Sequence, residues 1–214
     1  MMSFRRQAAA LSLAVAFGLP AAASGQAGDF GARLDAATRA AVQPTLDAAE
    51  RDSLPLGALR SKVLEGVAKG VAPDRIGTVV SELARELRAS RTLLRLEVPD
   101  GPIADGEVVA VALATRQGVD PEVVRALWES RPNGGSLEIP VTVLGELVRR
   151  GVPVDDASSV MAHVVRSAVP LQLAAQLPGK VDGALGAGAQ PSAALGEALR
   201  ALEIPTPPGR RTNE

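Results

Sequence analysis

Apolar side chains recur at helical spacing along most of the chain. Leu59, Val63 and Val67 stand four apart, and Ile76, Val80, Leu83, Leu87 and Leu94 continue a second stripe. Ala157, Val160, Met161, Val164 and Ala168 form a third. This spacing gives an α-helix one buried face. Between stripes a similar short string returns, as KGVAPDRI at 69–76, QGVDPEVV at 117–124 and RGVPVDDA at 150–157.

The recurring string has a physical reading. Glycine accepts the left-handed conformation that closes many helices, and the apolar residue after it packs back on the last turn. Proline then suits the first turn of a new helix, where its missing N–H is not needed. An early acidic residue faces the positive end of that helix. Gly70, Gly118 and Gly151 therefore mark a helix stop followed within a few residues by a restart. Gly188, in Gly188-Ala189-Gln190-Pro191, marks a weaker fourth.

Short connections of this kind bring consecutive helices together as hairpins or angled corners. The sequence predicts an all-α fold of loosely repeated αα-hairpins packed into one small helical domain. The pairs fall at about 58–96, 104–130 and 140–168, with a last pair at about 171–187 and 191–202. The four glycines lie 48, 33 and 37 residues apart, too uneven for a strict solenoid period. EVPDGPIADGE at 97–107 and SRPNGGSLEIP at 130–140 read as loops, with LEVP and SLEI too short to assign as strands. GALGAGAQP at 183–191 reads as a flexible connector.

The ends differ in character. Residues 1–23 carry a basic start, an apolar run and small residues suited to cleavage, which predicts a signal peptide. The apolar run falls short of the roughly 20 residues that span a bilayer, so no stable membrane span is expected. Residues 24–53 form an N-terminal helical segment that Pro44 is expected to break in two. Residues 54–203 form the helical-hairpin domain, and 204–214 a disordered tail. The predicted location is periplasmic or secreted.

Composition narrows the chemistry. The formal charge is −1, and loss of Arg5 and Arg6 with the signal peptide takes it to −3. Such a surface lacks the basic footprint of a nucleic-acid binder. With no cysteine and one histidine, a zinc site of ordinary composition is not available. Asp155-Asp156 and the loop acids Asp100 and Asp105 match no twelve-residue calcium loop. Lys180 precedes its neighbouring glycines, the reverse of a phosphate-binding loop. No metal and no cofactor is predicted.

One constellation has the parts of nucleophilic catalysis. Asp155, Ser159 and His163 are spaced four apart on one helix. The buried stripe of that helix leaves Asp155 and Ser159 on the opposite side and His163 at its flank, without the enclosure that catalysis requires. Asp155 or Asp156 is read as a helix cap instead. Trp128 is read as a plug between helix pairs, against the alternative of an exposed anchor for a partner. No residue is assigned a catalytic role.

These observations predict a non-enzymatic exported scaffold or adaptor whose partner is another envelope protein. Two other readings remain: a carrier holding an apolar small molecule or lipid between helices, and a hydrolase using Asp155, Ser159 and His163. The apolar stretch VVAVALAT at 108–115 fits a deeply buried helix or a lipid-sized pocket.

Overall fold

The computed structural model describes residues 30–98, 101–131, 135–167 and 169–207. The predicted signal peptide, Asp100 and residues 208–214 lie outside them. Among the described residues the chain is helical and no strand forms. The helices are α1 Ala36–Arg51, α2 Leu56–Ala68, α3 Pro73–Glu97, α4 Asp105–Arg116 and α5 Pro121–Glu129. They continue as α6 Glu138–Arg149, α7 Val154–Arg166, the short α8 Leu171–Ala174, α9 Leu177–Gly186 and α10 Pro191–Ala201.

The four junction glycines share one backbone conformation. Gly70, Gly118, Gly151 and Gly188 have φ of +64°, +97°, +84° and +93°. In each case the next residue turns its N–H back to the last helical turn. Val71 donates to the Gly66 carbonyl at 3.0 Å, Val119 to Ala114 at 3.0 Å, Val152 to Leu147 at 3.1 Å and Ala189 to Ala184 at 3.0 Å. These are the bonds of a Schellman ending, which satisfies carbonyls the helix itself leaves open.

Two further endings of this kind carry no glycine. Ser53 has φ +52° and Glu203 has φ +54°. Leu54 donates to Ala49 at 2.8 Å and Ile204 to Leu199 at 3.0 Å. A left-handed conformation costs an L-residue roughly 1–2 kcal/mol, so both sites hold local strain. At all five internal junctions the new helix begins three residues after the left-handed position, at Leu56, Pro73, Pro121, Val154 and Pro191. In three of them proline is that first residue. In the other two, Pro55 and Pro153 stand just before it.

Several expectations need correction. Pro44 does not break the N-terminal helix: α1 runs through it. Pro44 and Ala40, whose carbonyl loses its usual amide partner, both lie on the exposed face, where water can replace the bond. The GALG stretch is not a connector but the last turns of α9, ended by the left-handed Gly188. The helix expected over 171–187 is interrupted between α8 and α9. Ile204, expected to open a disordered tail, is buried, and its N–H closes the Schellman ending on the Leu199 carbonyl.

The junctions repeat more faithfully than the packing does. α6 and α7 pack against each other, as do α9 and α10. α4 and α5 share little surface; α4 lies along α6 and α3, while α5 reaches α7 and α3. α1 lies along α3, burying Val42, Leu46 and Ala49. The core is built from Leu, Val, Ile and Ala, with Trp128 its single large aromatic. The apolar excess of VVAVALAT is taken up by packing, since Val108, Ala110, Val111, Ala112 and Ala114 are all buried.

Candidate functional site

The sequence-predicted residues on α7 are not drawn together. Asp155 and Ser159 are exposed, and His163 is half-buried at the edge of the helix. The His163 ring has Ser167 for its neighbour, with Nδ1 at 3.3 Å from the hydroxyl, rather than Ser159. Neither Asp155 nor Asp156 is the cap: Pro153 occupies that position and both acids sit in the first turn. Asp156 instead reaches α10, where it accepts a hydrogen bond from the Ser192 hydroxyl at 2.7 Å.

Trp128 is buried, at 7 % exposure. The Arg131 guanidinium covers its ring at 3.6 Å from the centroid, a cation–π arrangement that leaves little ring surface for a partner. Lys180 is exposed on α9 and Asp105 exposed in the first turn of α4. Among the described residues no three of His, Asp and Glu are grouped to hold a metal ion, and no helix is long and apolar enough to cross a membrane.

Two polar features escaped the sequence. The first is Glu107, buried in the first turn of α4, whose carboxylate accepts the Leu137 N–H at 3.0 Å at the start of α6. This supplies a partner to an amide that the helix start leaves open. The second is a network around Arg150, the residue before Gly151. Arg150 donates to both carboxylate oxygens of Asp182, each at 2.8 Å, and to the Glu146 carbonyl at 2.7 Å. Arg149 and Gln117 also donate to Glu146, at 2.8 and 3.1 Å. One cluster therefore joins the ends of α4 and α6 to α9. Burial pushes the Glu146 carboxyl upward, but the hydrogen bonds from Arg149 and Arg150 outweigh it and hold the group below the ordinary glutamate range. Burial likewise opposes charge on Arg150, and its bonds to Asp182 and Glu146 prevail. Both partners lie 30 or so residues away in sequence, so no local spacing announces either feature.

The surface also holds a depression where α1 crosses α3. Gly77 lets the helices meet closely: a Cβ there would stand 3.0 Å from the Ala41 carbonyl oxygen. Around this crossing lie Asp74, Thr78, Ser81, Glu82, Arg85 and Arg88. Thr45 and Ser81 share a hydrogen bond of 2.9 Å across the helices, and Arg88 donates to Asp52. Asp74, Glu82 and Arg85 have no ion pair among the described residues, so both signs of charge remain open to a ligand. The depression is open, with a lining that is about equally polar and apolar.

No family, no curated protein and no solved structure matches this chain.

Proposed function

We propose that the protein is an exported, non-enzymatic helical scaffold that docks another envelope protein at the α1–α3 crossing. The observation that carries this reading is the open depression edged by Asp74, Glu82 and Arg85, with charge of both signs available for pairing. Charged groups at an interface rim favour orientation and selectivity more than raw affinity. A double charge reversal, Glu82→Arg with Arg85→Glu, preserves net charge and therefore isolates the pattern.

The test places a photo-crosslinking residue at Thr78, in the depression, or at Lys180 on α9, in the full-length protein expressed in its own cell. A discrete adduct from position 78 that the charge reversal abolishes is the expected result. Equal labelling from both positions, or none from 78, overturns the assignment. The carrier reading is tested separately by melting the protein with and without fatty acids, where no shift is expected. Export is tested by the mass of the protein from the envelope fraction: the proposed mature chain begins between Ser24 and Gly28.

A further inference from the structure

The C-terminal helices meet the rest of the molecule at α6 and at α7, where the Ser192 hydroxyl of α10 donates to Asp156 at 2.7 Å. α10 packs on α9, and α9 in turn packs on α6, with α8 alongside. The buried side chains of the pair, among them Val181, Leu195 and Leu199, continue the single hydrophobic core of the molecule. At the contact with α6 stands the Arg150–Asp182 pair, two parallel hydrogen bonds of 2.8 Å between the end of α6 and the middle of α9. The Arg150 side chain is only 12 % exposed there, against 55 % for Asp182.

α9 itself is a poor helix. Gly179, Gly183 and Gly186 occupy three of its ten positions, and Pro178 lies in its first turn. Each glycine inside a helix costs about 1 kcal/mol relative to alanine. Neither Gly179 nor Gly183 is required by space, because a Cβ at either position meets nothing within 4 Å, and neither has a positive φ. The chain leading into α9 is also broken, with only the four-residue α8 between α7 and α9. A helix of low intrinsic stability thus carries most of the packing that holds α10 to the rest.

We infer that α8, α9 and α10 form a cap that undocks from α6 and α7 as one body, latched by Arg150 on Asp182 and by Ser192 on Asp156, while α1 to α7 stay folded. Opening would uncover the part of α6 that α9 covers, giving the protein a closed and an open state. Elements of low local stability supply the moving parts of proteins in this way. The inference rests on the packing order and the latch, and is independent of what docks at the α1–α3 crossing.

Hydrogen exchange of the full chain, resolved by peptide, tests it with two variants of opposite sign. In the wild type, amides of α9 and α10 should exchange together and faster than those of α3. Asp182→Asn should speed α9 and α10 several-fold and leave α3 unchanged, since it weakens a charge-assisted pair to a mostly buried guanidinium. Gly179→Ala with Gly183→Ala should slow both helices, by about fivefold per glycine from helix propensity alone. Slowing confined to α9 would overturn the single cap. A change in α3 equal to that in α9, in either variant, would show that the C-terminal helices open only with the whole fold and would also overturn it.

Discussion

Gly118 and Ala114 are joined through Val119, whose N–H closes on the Ala114 carbonyl at 3.0 Å only because Gly118 stands at φ +97°. The same relationship recurs at Gly70, Gly151 and Gly188, and it converts a local backbone choice into the position of the next helix.

Gly118→Val should lower stability by about 1–3 kcal/mol, the usual cost of holding a side chain in a disfavoured backbone region. A Cβ at Gly118 meets nothing within 4 Å, so the loss reports backbone strain and not a clash. Urea denaturation measures it. An unchanged midpoint would mean that the turn relaxes without penalty.

Ser53→Gly and Glu203→Gly should move in the other direction. Each removes a left-handed L-residue costing roughly 1–2 kcal/mol, against about 0.5–1 kcal/mol of extra chain freedom given to the unfolded state. A net gain between about 0 and 1.5 kcal/mol per site follows from those two terms. Thermal melts of the two single variants provide the comparison; a fall in both melting temperatures would contradict it.

Glu107 offers a contrast between charge and hydrogen bonding. Glu107→Gln keeps a side-chain oxygen for the Leu137 N–H and should be nearly neutral. Glu107→Ala leaves that buried amide unpaired and should cost about 1–3 kcal/mol. Equal losses in the two variants would assign the role to the carboxylate's charge instead.

Acid should weaken the cluster around Arg150. The folded state holds the Glu146 carboxyl below its ordinary value of 4.5, so the unfolded chain binds the proton more readily. Its stabilising contribution is complete above the ordinary glutamate range and is lost as pH falls below it through the depressed folded value. Glu146→Gln should therefore flatten the stability profile on the acid side of pH 4.5 while lowering stability at neutral pH. Denaturation midpoints across that range would show it, and parallel profiles for the two proteins would refute it.

His163→Ala should change stability by less than about 0.5 kcal/mol, as a partly exposed surface position normally does. Complementation of a deletion strain by this variant is the functional measurement. A variant that folds normally and fails to complement would reopen the Asp155, Ser159 and His163 site.

The sequence by itself determined the four helix endings that glycine marks, but not the course of α1 through Pro44 or the break between α8 and α9. Glycine is nearly free of the left-handed penalty and proline is tolerated in a first turn, so Gly70, Gly118, Gly151 and Gly188 write their conformation into composition. Ser53 and Glu203 adopt the same conformation without that signature, each followed by a buried apolar residue, Leu54 or Ile204, and no glycine in the sequence announces either ending. Only the tertiary structure decided that α4 lies on α6, that Glu107 serves Leu137, that Arg150 meets Asp182 and that Gly77 admits Ala41. Helix ends are set by a handful of consecutive residues. Pairings between helices depend on which faces meet across tens of residues, and a core made mostly of Leu, Val and Ala distinguishes those faces by shape, which becomes defined only when the helices pack.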